Sequence, residues 1–371
     1  MSASSPVVSS GKVSAFRIPT DSPESDGTAE WDATTIVIVE LTAGDVTGLG
    51  YTYSDEAAAQ ICKEFIQKKV IGKDPTAVPE REVSLGQFAR NRGKPGMVSS
   101  AIAAIDTALW DLKARLLQVP LVTLLGKMRD QISAYGSGGF TSYSDKQLVK
   151  QLTGWAEEGF RSVKMKIGRD PEQDLQRVAL VQKALKGRAE LYVDANGAYT
   201  RKQALQQGQR FAELGCTWFE EPVTSDDLVS LNLLVERMPT PLRIAAGEYI
   251  YVLDDAKNLI NARAVDVLQT DVTRCGGTSN FLKIGHVCEM FHLPFSAHTS
   301  PSLHATLCCA LPAAFNVEYF HDHERIEGMI FDGAVRAVNG YLRPDLTRHG
   351  FGLELKRATA EKFQVSHHVV V

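Results

Sequence analysis

Two lysines, Lys164 and Lys166, interrupt the apolar segment SVKMKIG at residues 162–168. The segment has the composition of a buried strand, and residues two apart on a strand point to the same face. Lysine is depleted in strands and is rarely buried without a partner. Because adjacent ammonium groups disfavour each other's charge, one of the two lysines can be neutral near neutral pH and accept a proton. The pattern therefore indicates a catalytic base.

Other ionisable residues stand in or at the ends of the strands predicted further along the chain. From Lys166 the successive spacings are 28, 26, 28, 23, 27 and 20 residues, each the length of one strand and one helix; they lead to Asp194, Glu220 with Glu221, Glu248, Asp271, His298 and Glu318. A single aspartate at a strand end is often only a helix N-cap. Seven strands that each carry an ionisable group at the same end predict one site, because the carboxyl ends of parallel barrel strands meet at one rim.

Three of these residues, Asp194, Glu220 and Glu248, come from consecutive strands. Converging carboxylates repel one another unless a cation lies between them. Ligation by carboxylate oxygens alone suits Mg²⁺, so we expect one magnesium site per chain. In the segment WFEEPV either Glu220 or Glu221 could face the metal, because adjacent strand residues point in opposite directions.

The expected metal site has a candidate base on each side. The two lysines precede the three carboxylates in the strand order, and Asp271 and His298 follow them. An aspartate beside a histidine orients the imidazole and supports its protonated form.

A regular alternation of strands and helices is expected to position these residues. Helical patterns such as 146–158, 172–186 and 201–214 separate eight predicted strands at 132–139, 162–168, 191–196, 217–222, 243–248, 266–272, 294–299 and 316–320. Eight repeats predict an α/β fold, a (β/α)8 (TIM-type) barrel. An open doubly wound sheet would need a glycine-rich phosphate turn after its first strand, which we do not find.

The chain before residue 126 has a different pattern. Strands at 13–18, 34–41 and 46–53, with a polar loop at 19–33, precede helices at 55–69 and 97–118. This order predicts an N-terminal α+β capping domain over 1–125, with 1–11 disordered. The barrel domain then covers 126–329, and the segment 330–371 is expected to return to the cap.

Composition excludes several classes of protein. The 371 residues carry a net charge of −4, so the chain lacks the basic excess typical of proteins that bind nucleic acids. The sequence contains no run of 18 apolar residues, so we expect no membrane span. The N-terminus lacks the pattern of a secretory signal. The six cysteines have no zinc-site spacing, so we expect reduced core residues and a cytoplasmic protein.

The order of the motifs resembles the enolase superfamily and, within it, the mandelate racemase subgroup, which includes enzymes like muconate lactonizing enzyme. The resemblance covers roughly residues 13–356 and rests on the KxK of VKMKIG, VDANG, WFEEP, AAGE, LQTDVTRCGG, SAHTS and VEYF. It implies that Asp194, Glu220 and Glu248 are the magnesium ligands. Lys166, with Lys164 beside it, is then the base on one face of the substrate, and His298 with Asp271 is the catalyst on the other.

The same resemblance implies further contacts. Glu318 is expected to be a protonated acid that hydrogen-bonds an enediolate, and Asn196, Glu221 and Tyr53 are expected near the metal or substrate. The reaction is abstraction of the proton alpha to a carboxylate. We favour dehydration of a sugar acid to a 2-keto-3-deoxy acid; a racemase or epimerase, a lactone cycloisomerase and, from another class, a catalytically silent barrel are the alternatives.

The substrate is expected to be a small carboxylic acid that contacts the loops at 19–33 and 50–55. Five acidic residues in the first loop favour a monoacid over a diacid: Asp21, Glu24, Asp26, Glu30 and Asp32. Three further histidines, His304, His321 and His323, are expected near the rim as solvated or supporting residues. For His321 and His323, contact with the substrate is the alternative. The resemblance also implies a homo-oligomer, a dimer or an octamer.

Overall fold

The secondary structure is taken from a computed structural model that describes residues 6–371. The strands are β1 (Ser10–Ser25), β2 (Glu30–Ala43), β3 (Val46–Tyr53), β4 (Ile132–Gly138), β5 (Ser162–Lys166), β6 (Glu190–Asp194), β7 (Cys216–Glu220), β8 (Arg243–Ala246), β9 (Val267–Thr270), β10 (Phe295–Ala297), β11 (Ala314–Phe320), β12 (Phe331–Asp332), β13 (Tyr341–Leu342), β14 (Glu354–Leu355) and β15 (Gln364–Val370). The α-helices are α1 (Ala57–Lys69), α2 (Val78–Ala89), α3 (Ser99–Leu116), α4 (Leu121–Leu125), α5 (Asp145–Glu157), α6 (Pro171–Leu185), α7 (Arg201–Glu213), α8 (Leu228–Arg237), α9 (Leu253–Asn261), α10 (Thr278–Met290), α11 (Pro301–Cys308), α12 (His321–Ile330) and α13 (Arg357–Ala360).

The eight strands β4 to β11 form a closed barrel. Neighbouring strands in the series are parallel, and β11 pairs with β4 through partners such as Glu318 and Tyr135, which closes the sheet. This arrangement confirms the predicted (β/α)8 barrel. The short strand β13 adds an antiparallel edge to β4.

An antiparallel sheet of order β15-β1-β2-β3 forms the cap together with α1, α2 and α3. Helix α3 lies directly on β3 because two glycines leave room for its backbone. A Cβ atom at Gly48 would lie 2.4 Å from the Leu112 nitrogen, and one at Gly50 would lie 2.3 Å from the Ala104 oxygen. The predicted capping domain of strands and helices is thus confirmed as a fold.

The predicted polar loop at 19–33 is wrong for most of its length. Strand β1 runs to Ser25 and β2 starts at Glu30, so only residues 26–29 form the turn of a long hairpin. Tertiary contacts extend the strands despite their polar composition: the Thr141 nitrogen donates to the Ser25 oxygen at 2.9 Å, and Trp31 packs edge-to-face on Phe140. The hairpin is thereby held against the barrel.

The ends of the chain contact both parts of the molecule. Residues 1–5 of the segment expected to be disordered lie outside the described residues. The expectation is wrong for residues 8–11, because Val8 is fully buried, the Ser9 nitrogen donates to the Thr42 oxygen at 2.8 Å and Ser10 opens β1. At the other end, β15 pairs with β1, whereas β13 pairs with β4. The domain limits at 125 and 329 stay a prediction.

An aromatic layer fills the barrel beneath the rim. Tyr135, Tyr192 and Trp218 are buried together, and the rings of Tyr192 and Trp218 stack with centroids 4.9 Å apart. The polar residues of the strand ends lie directly above this aromatic layer. Among residues 6–371, no helix combines the length and the apolar character needed to cross a bilayer. All six cysteines are buried and unpaired.

Candidate active site

All of the ionisable residues predicted from the strand ends lie at one end of the barrel and are buried. Some of these residues lie within a strand, on β5, β6, β7 or β11. The remaining ones follow the end of a strand by one or two positions. The residues on strands are Lys164, Lys166, Asp194, Glu220 and Glu318, and those beyond strand ends are Glu221, Glu248, Asp271 and His298. The half-buried Asn196 follows the end of β6 by two positions.

Asp194, Glu220 and Glu248 form the carboxylate cluster expected for a metal. One oxygen from each side chain lies within 4.8 Å of those from the other two. Asp194 and Glu220 are direct neighbours in the β6–β7 register. The buried Oδ1 of Asn196 has no hydrogen-bond partner in the described chain, and Oε2 of Glu248 makes no hydrogen bond there, although His298 Nε2 lies 3.3 Å from it. Such an oxygen-only donor set fits a hard divalent cation.

The two glutamates of WFEEPV differ in their surroundings. Glu220 belongs to the carboxylate cluster, and Trp218 Nε1 donates to its Oε2 at 2.8 Å. Glu221 adopts a left-handed φ of 37° just past β7, and its buried Oε1 has no partner. Burial, aided by the carboxylates of Glu248 and Asp194, raises the pKa of Glu221 well above its usual range. The geometry therefore favours Glu220 over Glu221 as the third member of the cluster.

Both lysines are paired with carboxylates. Lys164 contacts Glu220, and its Nζ lies 2.8 Å from Glu318 Oε1 and 3.2 Å from Asp194 Oδ2. Lys166 donates to Asp194 Oδ2 at 2.6 Å. Burial alone lowers the pKa of each lysine. The surrounding carboxylates raise it by a larger amount, so both pKa values lie above the usual range. Each ammonium group faces carboxylates as well as the other lysine, and these carboxylates include the expected metal ligands Asp194 and Glu220. The neutral lysine stays a prediction for the site with its cation bound, because that cation would take up the same carboxylate charge.

His298 and Asp271 form the expected pair. His298 Nδ1 lies 2.9 Å from Asp271 Oδ2, and its Nε2 lies 3.3 Å from Glu248 Oε2 and 3.7 Å from Glu318 Oε2. Burial raises the pKa of Asp271, but the hydrogen bond and charge of His298 lower it more, so the carboxyl stays ionised. An ionised aspartate at Nδ1 leaves Nε2 directed toward the carboxylates.

Glu318 differs from its expected protonated state. Ser137 Oγ donates to its Oε1 at 2.6 Å, and the Thr299 nitrogen donates to its Oε2 at 3.2 Å. Burial raises the pKa of Glu318, but Lys164 and His298 lower it more, to about 2. The carboxylate is ionised because the lysine beside it supplies the compensating charge.

Arg274 is a site residue that the sequence reasoning missed. Its Nη1 lies 3.1 Å from Glu248 Oε1, and its Nε lies 3.7 Å from Asp271 Oδ2. The guanidinium thus joins the carboxylate cluster to the partner of His298. Its place three residues after Asp271, in TDVTRCGG, was the available signal, because one turn after a strand end still lies at the rim.

The three other histidines have separate surroundings. His304 braces two rim loops: its Nε2 accepts from the Val272 nitrogen at 3.0 Å, and its Nδ1 lies 2.7 Å from the Thr299 oxygen. His321 lies 3.0 Å from Asp21 Oδ2. His323 is buried and stacks on Tyr53, with ring centroids 3.5 Å apart.

A cavity of about 400 Å³ lies between the rim and the cap. The barrel contributes Lys166, Asn196, Glu248, His298 and Glu318 to its lining, and Tyr53 belongs to the part that comes from the cap. Of the five acidic hairpin residues only Asp26 lines the cavity. The other four have partners of their own: Asp21 lies against His321, Glu24 accepts from Trp31, Glu30 pairs with Arg169 and Asp32 pairs with Arg17. The total charge of the hairpin is therefore no guide to the charge of the substrate.

Two family models match the chain. The model of the mandelate racemase/muconate lactonizing enzyme N-terminal domain matches residues 17–126, and that of the enolase C-terminal domain-like family matches residues 147–359. The second match alone spans more than half of the chain, across the residues of the carboxylate cluster and both candidate bases.

Relatives and solved structures agree with these matches. The L-talarate/galactarate dehydratase of Salmonella typhimurium is 32% identical over 327 residues, which cover 86% of this chain and 80% of the relative. A crystal structure of that dehydratase liganded with Mg and L-lyxarohydroxamate has a TM-score of 0.91 at 27% identity and covers 99% of this chain and 95% of its own. A mandelate racemase/muconate lactonizing enzyme-like protein from Rubrobacter xylanophilus has a TM-score of 0.93 at 46% identity and covers 97% of this chain and 100% of its own.

Further relatives are named as dehydratases of other sugar acids and as cycloisomerases. The barrel, the cap, the carboxylate cluster and the matches to both domains lead to one conclusion: the chain belongs to the mandelate racemase/muconate lactonizing enzyme family of the enolase superfamily.

Proposed function

We propose that this protein removes the proton alpha to the carboxylate of a sugar acid, in a Mg²⁺-dependent reaction, and completes a dehydration to a 2-keto-3-deoxy acid. The observation that carries the proposal is the carboxylate cluster of β6, β7 and β8 with Lys166 on one side and the His298–Asp271 pair on the other. All three parts meet the same cavity, into which a small acid fits.

Asp194, Glu220 and Glu248 are the residues proposed to hold the metal. Bound there, Mg²⁺ supplies positive charge for the substrate carboxylate, whose negative charge grows when the α-proton leaves. The convergence of three carboxylate oxygens within 4.8 Å and the unpartnered oxygen of Asn196 support this assignment, and so does the magnesium in the structure of the Salmonella dehydratase.

Lys166 and His298 are proposed as the acid and base of the reaction. One of them takes the proton from C2, and the electron pair of that C–H bond forms the enediolate. When the C3–O bond then breaks, the other residue gives a proton to the departing hydroxyl, which leaves as water. The enol that remains tautomerises to the 2-keto-3-deoxy acid. Lys164, next to Glu318 and Asp194, lies where it stabilises the developing negative charge.

Dehydration is preferred over the alternatives because several relatives of the family are named dehydratases. A base on each side of C2 is also what an epimerase or racemase requires, so the pair of Lys166 and His298 keeps that reaction as the second candidate. A lactone cycloisomerase is supported by two relatives at 29% identity. A catalytically silent barrel is disfavoured, because the chain has the three carboxylates and both candidate bases that the reaction requires.

A panel of sugar acids incubated with Mg²⁺ tests the proposal. We expect 2-keto acid to form from at least one acid, and deuterium from D₂O to enter C2 without a keto product if the enzyme is an epimerase. Glu220→Gln should keep the fold, weaken Mg²⁺ binding measured by calorimetry, and abolish turnover; Glu190→Gln, an exposed change on the neighbouring strand, is the control. Full activity after removal of the metal with EDTA contradicts the proposed role of magnesium.

We also propose a cytoplasmic homo-oligomer, a dimer or an octamer. Six buried, unpaired cysteines support a reducing compartment. The oligomeric state rests on the family resemblance, and light scattering of the purified protein measures it.

A further inference from the structure

The part of the cavity that comes from the cap, here called the cap wall, has a different chemistry from the rim. It consists of the lining residues between 26 and 55: Asp26, Trp31, Ala33, Thr34, Thr35, Tyr53, Ser54 and Asp55. The rim holds the reacting end of a substrate under the proposed function. The cap wall therefore faces the end of the substrate that is distant from its reacting carboxylate.

The cap wall offers no cation to a second carboxylate. Among the cavity-lining residues that the structure describes, the lysines and arginines are Lys166 and Arg274. Both belong to the rim and are paired there, Lys166 with Asp194 and Arg274 with Glu248.

The charges on the cap wall itself are negative, those of Asp26 and Asp55. Both carboxylates hold backbone turns: Asp26 Oδ1 accepts from the nitrogens of Thr28 and Ala29, and Asp55 Oδ1 accepts from the Ala57 nitrogen. A dicarboxylate bound in this cavity would bring its second charge toward two carboxylates, which is unfavourable by Coulomb's law and acts against such a ligand.

Tyr53 and His323 provide neutral polar groups next to this wall. Their rings stack at an interplanar angle of 16°, and both line the cavity. Tyr53 Oη and His323 Nδ1 are buried and have no hydrogen-bond partner in the described chain. Burial, aided by His298 and Arg274, lowers the pKa of His323 to about 3, so its imidazole is neutral at pH 7. Unpartnered buried polar groups in a cavity are costly unless a ligand satisfies them.

A hydroxyl group satisfies both atoms, because it donates one hydrogen bond and accepts others. We infer that the substrate is a monocarboxylic polyhydroxy acid, an aldonate, whose hydroxyl groups distant from C1 hydrogen-bond Tyr53 Oη and His323 Nδ1. The corresponding aldarate, with a second carboxylate at that end, is discriminated against. The inference rests on the proposed function, since it assumes that the reacting carboxylate lies at the metal cluster.

The test compares matched acids with the wild-type enzyme and Mg²⁺. Each aldonate is paired with the aldarate that differs from it only by oxidation of the terminal CH₂OH group. We expect kcat/KM for the aldonate to exceed that for the aldarate by about 100-fold in the best pair, because the second carboxylate of the aldarate would approach Asp26 and Asp55 without a cation to pair with it. Equal or higher values for aldarates overturn the inference, and so does turnover confined to acids that lack a distal hydroxyl.

A variant tests the named contact. Tyr53→Phe keeps the stacked ring and removes the hydroxyl, so KM for the aldonate should rise about 10-fold while the rate of α-proton exchange at saturation is kept. Tyr341→Phe, on β13, is the matched control and should leave KM unchanged. An unchanged KM in Tyr53→Phe contradicts the contact. The proposed function fails in a different way, namely if no acid in the panel exchanges its α-proton.

Discussion

At the scale of single residues, the site is a balance of buried charges. Within the network of ion pairs at the rim, five carboxylates face three permanent cations, Lys164, Lys166 and Arg274; the carboxylates are Asp194, Glu220, Glu248, Asp271 and Glu318. The carboxylates in this network therefore outnumber the three cations by two. Buried charge is costly unless it is compensated. A divalent cation at the carboxylate cluster removes that excess, which supports the proposed magnesium site.

Lys166 and His298 should have separable roles when one substrate enantiomer is used. Whichever residue faces the C2 proton is the base, and its loss should abolish exchange of that proton with D₂O. Loss of the other residue should keep exchange but remove net turnover, because enediolate formation needs only the base and the metal. NMR of Lys166→Ala and His298→Asn with each substrate measures both quantities. Retained exchange in both variants for every substrate would show that neither residue is the base.

At the scale of elements, the sequence predicted which strands exist better than where they end. Six predicted barrel strands run two residues past the observed ends of β5 to β10. The excess residues belong to sharp turns with left-handed backbone, such as Asn196 at φ 46°, Glu221 at φ 37° and Thr299 at φ 53°. Two of these residues, Asn196 and Thr299, line the cavity. Their composition resembles that of the strands, so only the three-dimensional structure separates the two.

The hairpin of β1 and β2 shows why other parts of the site could not be predicted. Its polar segments form strands because they pair with each other and dock on the loop after β4. The pairing of Tyr53 with His323 joins residues 270 positions apart, and no local pattern indicates such a contact. The metal cluster, in contrast, repeats once per strand and helix, and that period is visible in the sequence.

Glu24 should make the stability of this hairpin depend on pH. The side chain is 1% exposed, and burial, with Asp322 and Asp21 nearby, raises its pKa from 4.5 to about 8 in the folded state. The folded state therefore holds a proton that the unfolded chain releases, and stability falls as the pH rises from about 5 to 8. Glu24→Gln should remove most of this fall, which urea unfolding at several pH values measures.

The control for Glu24 lies in the same hairpin. Glu30→Gln changes an exposed carboxylate that pairs with Arg169, and it should leave the pH dependence as in the wild type. If Glu24→Gln unfolds with the same pH dependence as Glu30→Gln, the buried carboxyl is not the group that titrates.

At the scale of the whole molecule, buried hydrogen bonds join the cap to the barrel. Asp106 of α3 accepts from the nitrogen and the hydroxyl of Ser279 at the start of α10, and Tyr51 of β3 donates to Glu327 of α12. Glu327 in turn accepts from the Ser302 nitrogen of α11. These contacts fix the cap over the rim, so the cap wall and the metal cluster keep a defined relation. Their partners are far apart in sequence, which is why the sequence predicted a cap but not its docking.

Asp111 should be one of the residues on which the assembled molecule depends most. It is fully buried on α3, where Oδ2 accepts from the Leu49 nitrogen of β3 at 2.8 Å and Oδ1 accepts from the Phe351 nitrogen of the C-terminal segment at 2.6 Å. Arg115 also donates to it, at 2.6 Å. Asp111→Ala leaves two buried N–H groups and a guanidinium without this partner, so the free energy of unfolding should fall by about 3 kcal/mol.

The turnover of Asp111→Ala at a permissive temperature should match that of the wild type, because Asp111 does not line the active-site cavity. Asp332→Ala is the matched control, since it removes an exposed ion pair with Arg348, and exposed pairs contribute little to stability. Urea unfolding of both variants makes the comparison. A loss in Asp111→Ala no larger than that in Asp332→Ala would show that α3, β3 and the C-terminal segment are held together by their apolar packing rather than by this carboxylate.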